Sequence, residues 1–231
     1  MRHRNGLFND EVDKALDFID TCVGDLMQAV RDAGIWDTTD FAIISDHGQM
    51  EIKRSVAVNV FLADRGWITV NDDGSLAGWK AYVQSCGLSA HVHVKDKADE
   101  PAVEKLLREL CEEGLYGFSE VLTKDEVTAR YGLSGDFSFV LETDGYTSFN
   151  DAWTRPAVRS FDTSDYRYGR ATHGHMPEKG PQPCMVLCGP SFRKGVTVPR
   201  IHVLDEAPTF AAALGLELPQ ADGRPVSAVL A

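Results

Sequence analysis

The sequence has no apolar run of roughly 18 residues, the length at which a helix spans a bilayer, so no membrane-crossing helix is expected. Its start, MRHRNGLFND, is basic without the apolar stretch of a secretory signal, which favours the cytoplasm. Positive charge is scarce. The 23 Lys and Arg residues against 35 Asp and Glu leave a net charge of −12 with histidine neutral, which disfavours capture of a nucleic-acid polymer or an anionic membrane. An anionic substrate would need a local attractor, and a bound metal is one. The five cysteines, Cys22, Cys86, Cys111, Cys184 and Cys188, include no CxxC pair and stand in apolar contexts. Reduced core thiols are therefore expected rather than disulfides or a zinc knuckle. A glycine-rich phosphate loop, a GxSxG elbow, a basic-aromatic stripe and internal repeats are all missing, so any phosphate chemistry would rest on metal ions.

What is present is enough for a sizeable core: 231 residues, patterned as an α/β chain. Asn9 is placed to cap a helix whose Val12, Ala15, Leu16, Ile19, Val23, Leu26 and Val30 share one face, with Gly34 as its stop. The uninterrupted Phe41-Ala42-Ile43-Ile44-Ser45 reads as a strand buried on both faces of a parallel sheet, with Asp46-His47-Gly48 at its C-terminal end, where open α/β sheets bind ligands. Residues 56–63 fit a strand or an apolar helix equally. From about residue 66 the texture changes to an Asn71-Asp72-Asp73-Gly74 turn, an alternating His91-Val92-His93-Val94 strand, a helix over 100–113 and a strand over 137–142. Residues 66–159 therefore read as an inserted α+β cap between core segments 1–65 and 160–231. The aperiodic stretch 154–183 reads as a long loop, followed by a short buried strand over 184–188 and a helix over 203–214 ended by Gly215.

Asp46 and His47 pair a hard oxygen with a borderline nitrogen ligand, a combination that suits zinc or manganese, and Gly48 would let the chain turn sharply beneath an ion; a polar turn is the alternative. His173-Gly174-His175 could approach the same sheet edge or be two solvated loop histidines. His3 is equally open. His91 and His93, at i and i+2, have chelating spacing but also fit the polar face of a strand, while Lys53 and Arg54 fit a solvated pair or an anion contact.

The ordered set FAIISDHGQM, ATHGHMP, CMVLCGPSFRKG and VLDEAPTFAAALGLELPQADGRPV resembles the alkaline phosphatase superfamily, specifically its type I phosphodiesterase and nucleotide pyrophosphatase branch. The likeness covers about residues 1–62 and 165–231. It implies a mostly parallel sheet flanked by helices, incomplete here, and two divalent metal ions, zinc or else manganese. By resemblance Asp46 and His47 hold the nucleophile's metal, and His3 and His173 the metal that activates water. The Asp partner of His3 and the Thr or Ser nucleophile would lie upstream of Met1, so no catalytic nucleophile is expected in this chain, and its metals could be depleted.

For the intact protein the resemblance implies hydrolysis of a phosphate ester, such as a diester or nucleotide, by attack of the Thr or Ser on phosphorus and release of the phosphoryl group to water. Phosphonate or sulfate ester hydrolysis and phosphoryl transfer within a substrate are alternatives on the same scaffold. Trp67, Trp79, Tyr146 and Trp153 are either stacking surfaces of the cap or packing residues. The alternative of another class is a non-catalytic module that self-associates through an exposed sheet edge.

Overall fold

The computed structural model describes residues 1–165 and 168–231. Tyr166 and Arg167, inside the loop expected over 154–183, lie outside the described residues. In chain order the elements are α1 (Arg2–Asn5), α2 (Asp10–Asp32), β1 (Phe41–Ile44), β2 (Met50–Glu51), β3 (Arg54–Val56), α3 (Asn59–Asp64), β4 (Ile68–Val70), β5 (Leu76–Trp79), β6 (Ala81–Ser85) and β7 (Ser89–Val94). There follow α4 (Glu100–Glu112), β8 (Phe118–Thr123), α5 (Lys124–Tyr131), β9 (Phe139–Thr143), β10 (Thr147–Phe149), β11 (Val158–Ser160), β12 (Ala171–Thr172), β13 (Met185–Cys188) and α6 (Glu206–Ala213).

The helix starts are built as the local sequence dictates. Asn9 Oδ1 accepts from the backbone N–H groups of Glu11 and Val12, both at 3.1 Å, satisfying two donors that α2 leaves without intrahelical partners. Asp10, Glu11 and Asp13 lie in its first turn, where acidic charge favours the helix dipole, and Gly34 at φ +72° follows its end. Thr123 and Glu126 form a reciprocal capping box on α5. The ambiguous stretch 56–63 resolves as the end of β3 followed by α3. Buried Asn59 at the start of α3 donates to Val83 O at 2.8 Å and accepts from Val83 N–H at 2.7 Å, tying the helix to β6.

The chain divides into two compact units, one of residues 1–16 and 47–182, the other of 17–46 and 183–231. In the first, an antiparallel sheet runs β6-β7-β9-β8. Val103, Leu106, Leu107 and Leu110 of α4 pack with Val83, Ala90, Val92 and Leu141 of the sheet in one apolar cluster. Leu122 and Val140 of the sheet join Val127 of α5, Phe137 and Met176 in a second. A smaller sheet runs β10-β3-β11, and β2 pairs with β12. The expected loop over 154–183 thus contains two short strands, β11 and β12. Pieces of two and three residues are too short to show periodicity, and their partners β2 and β3 are more than a hundred residues away in sequence.

In the second unit β1 pairs antiparallel with β13, Phe41 opposite Cys188 and Ile44 opposite Met185. The Asp40 carboxylate accepts from Ser191 N–H at 3.0 Å beside this pair. The chain is α/β as expected, but the pairing within it departs from a mostly parallel sheet: among the described strand pairs only β3 with β10 is parallel. Short hairpin connections, such as that between β6 and β7, permit only the antiparallel arrangement. Nor are the strands at 41–45 and 184–188 buried, since a two-stranded ladder covers neither of its faces; Ile44 is 50% and Val186 56% exposed. Cys22, Cys184 and Cys188 are exposed for the same lack of covering layers, which corrects the expectation of core thiols, although all five cysteines are free.

Candidate functional site

Three of the four histidine and aspartate positions singled out from the sequence come together within the first unit. Antiparallel pairing of β2 with β12 sets Thr172 opposite Met50 and Ala171 opposite Glu51, which carries the residue after β12, His173, towards Gly48 and Gln49. The rings of His47 and His173 stack, with centroids 3.8 Å apart and planes 20° apart. His3, on α1, meets His173 edge-on at 5.4 Å. Backbone contacts fix this helix: Arg170 N–H donates to His3 O at 2.6 Å, and a Cβ on Gly169 would stand 2.1 Å from that oxygen. Asp46 belongs to the second unit and immediately precedes His47 in sequence.

Hydrogen bonds decide which ring nitrogens carry protons. His3 Nδ1 lies 2.7 Å from Ala171 O, and His47 Nδ1 3.0 Å from Gly48 O. A carbonyl only accepts, so in each ring Nδ1 is the nitrogen that donates. His3 Nε2 lies 3.0 Å from the Gln49 side-chain amide nitrogen. Orientation of one ring nitrogen by a carbonyl is also what a metal-binding imidazole requires of its surroundings. His175 stands beside this group, its buried Nδ1 without a hydrogen-bond partner among the described residues. Burial, and secondarily the nearby His47, holds its imidazole below the ordinary histidine pKa, which keeps it neutral at pH 7.

Gly48 differs from expectation. It has no positive φ; a Cβ there would lie 1.8 Å from Pro181 O, so close backbone approach, not a sharp turn, demands glycine. His91 and His93 stand with ring centroids 6.5 Å apart, His91 stacked on Phe137 and His93 Nε2 3.2 Å from Gln84 Oε1. Arg54 is engaged by Thr147 Oγ1 at 3.1 Å and by Asp144 at 3.9 Å, while Lys53 lies over the Tyr146 ring. Trp67, Trp79 and Trp153 pack against the main apolar cluster, leaving Tyr146, 60% exposed, as the outward-facing member of that set.

The donor chemistry fits divalent metal. Imidazole nitrogen and carboxylate oxygen are the donor types that zinc and manganese accept. Among the described residues no three His, Cys, Asp or Glu side chains form a ready ligand group. No motif singles out Glu142 or Met176, yet they meet just beyond His173 and His175: Met176 N–H donates to Glu142 Oε1 at 3.2 Å.

A comparison with protein families matches residues 1–175 to type I phosphodiesterase / nucleotide pyrophosphatase. The chain belongs to this family. Its fold is also that of human ectonucleotide pyrophosphatase/phosphodiesterase 5, with 20% identity and a TM-score of 0.73 over 100% of this chain and 55% of that one. The murine counterpart, an inactive form in complex with AMP, gives 18% identity and a TM-score of 0.75, again over 100% of this chain and 55% of that one. The likeness establishes an alkaline phosphatase-like fold, of which the chain spans part. A search of curated proteins finds no match. No helix among the described residues is long and apolar enough to cross a membrane.

Proposed function

We propose that the protein is a metal-dependent hydrolase of phosphoric esters, acting on phosphodiesters or nucleotides, and that His3, Asp46, His47 and His173 hold two divalent ions. The observation that carries this reading is the meeting of three imidazoles from positions 3, 47 and 173, two of them with Nδ1 tied to a backbone carbonyl. Family membership supports phosphoester hydrolysis, and AMP in the murine relative supports a nucleotide as substrate class. Bound zinc or manganese would supply Lewis acidity towards phosphoryl oxygens and lower the pKa of water. The chain's own residues orient these groups. Ala171 O and Gly48 O fix Nδ1 of His3 and His47, the Gln49 amide contacts Nε2 of His3, and neutral His175 adds no positive charge beside them. No residue of the chain is assigned the covalent step. Residues 66–159 would shape the substrate pocket as a cap on a core formed by 1–65 and 160–231.

The test is elemental analysis of the purified chain beside His47→Ala. Zinc or manganese present in the parent and reduced in the variant is the expected result; equal metal in both would remove His47 from the site. On the protein that carries this chain, Asp46→Ala with His47→Ala should abolish hydrolysis of a chromogenic phosphodiester. Phosphonate and sulfate esters in the same assay separate the alternative reactions.

A second reading, assembly through the second unit, is favoured by exposed Phe18, Ile19, Leu26, Ile44 and Val186. Sedimentation that stays monomeric as concentration rises would remove it.

A further inference from the structure

The segment 172–179, which carries His173 and His175, is clamped at two levels. At the first, Leu88 N–H donates to His173 O at 2.9 Å. Gly87 and Gly174, at φ +91° and +93°, let this segment touch the turn between β6 and β7 backbone to backbone. A Cβ on Gly87 would stand 2.4 Å from His173 O, and one on Gly174 2.0 Å from Cys86 O. At the second level, Glu142 Oε1 accepts from Met176 N–H at 3.2 Å, and Lys179 Nζ lies 3.9 Å from the same oxygen. Lys179 is held in turn by Ser119 Oγ at 2.6 Å and by Thr143 O.

Glu142 is fully buried in β9, and its second oxygen, Oε2, has no hydrogen-bond partner among the described residues. A carboxyl group there weakens the interior unless the contacts it makes are used. Those contacts go to one place, the segment behind the histidines.

We propose that Glu142 is a positioning residue: its carboxyl group latches Met176 and Lys179 to the sheet and so fixes where His173 and His175 stand. The latch belongs to this chain's own packing; only its consequence for phosphoester chemistry rests on the hydrolase reading above. The charged groups facing the carboxyl are Lys179, Glu120 and Glu178. Burial outweighs the Met176 N–H and Lys179 and pushes its pKa up to about 7 from 4.5. Opening of the segment would return Glu142 to water and to its ordinary pKa, releasing a proton, so opening becomes easier as pH rises through that window.

Hydrogen exchange of the Met176 and Leu88 amides, corrected for intrinsic rates and measured on the 231-residue chain, tests this. From about pH 5 to about pH 8, wild-type protection at Met176 should fall at least about tenfold. Glu142→Gln, neutral and of the same shape, should hold protection level across that range. Glu142→Ala should lose it at every pH while Val83 and Val92 in the sheet stay protected. Wild-type protection at Met176 in Glu142→Ala, or an unchanged pH response in Glu142→Gln, overturns the latch; should Glu142→Ala unfold the sheet, Glu142→Gln decides alone. Exchange requires no metal. A metal-free parent chain would therefore count against the hydrolase reading and not the latch, whereas normal metal binding with unchanged exchange would sink only the latch.

Discussion

The sheet β6-β7-β9-β8 and the ladder β1-β13 are built from similar apolar segments and meet opposite fates. Val83, Val92 and Leu141 are buried beneath α4, whereas Ile44 and Val186 face outward. Helices show the same contrast. Leu107 of α4 is 0% exposed, and Leu26 of α2, on an equally clear apolar face, is 64% exposed. An apolar stripe fixes the kind of element, but burial needs a second surface, and the free energy comes from burial.

Paired truncations break the comparison most strongly. Leu107→Ala should cost about 2–5 kcal/mol in chemical denaturation, because it opens a cavity in a closed core. Leu26→Ala should cost under about 0.5 kcal/mol; similar losses at both sites would mean that α2 is covered in solution. The buried carboxyl group sharpens the contrast next. With Glu142 raised from 4.5 to about 7 in the folded state, the native form holds a proton that the unfolded form has released. Stability should therefore fall by about 3 kcal/mol as pH rises through that window, and Glu142→Gln should flatten this component in a series of denaturation curves.

Backbone approach gives the third effect. Gly174→Ala would place a methyl group against Cys86 O at a positive φ and should cost about 1–3 kcal/mol, with the loss visible in thermal melts. Gly24→Ala, in the second unit with nothing within 4 Å, should be neutral or slightly stabilising. A smaller loss than these is expected at a helix start: Asn9→Ala removes the two capping bonds from Glu11 and Val12 N–H and the two that its amide donates to Asn5 O and Gly6 O, and should cost about 1 kcal/mol, read from denaturation midpoints.

Much of the candidate site was legible because its residue types are unusual in their places. Asp46-His47-Gly48 after an apolar strand and His173-Gly174-His175 before another can be picked out by eye, and the ordered motif set pointed to the family. The meeting of His47 with His173 was implied by the motif set and not by either segment alone, since it depends on β2 and β12, two-residue strands paired across more than a hundred residues. Glu142 was hidden for another reason. At the end of the apolar run Phe139-Val140-Leu141 it looks like an acid that closes a strand, and only the contact with Met176 N–H in a buried setting makes it a latch.

By itself the sequence determined the helices α2, α4 and α6, the strands at 41–44, 89–94 and 139–143, and the identity of the imidazoles, because capping, periodicity and side-chain chemistry act over a few residues. Tertiary structure alone decided which apolar faces are covered, which strands pair antiparallel, why Gly48 and Gly174 must be glycine, and which histidine nitrogens face a carbonyl. Each of those depends on groups far away in sequence, and burial and hydrogen bonding are settled only where such groups meet.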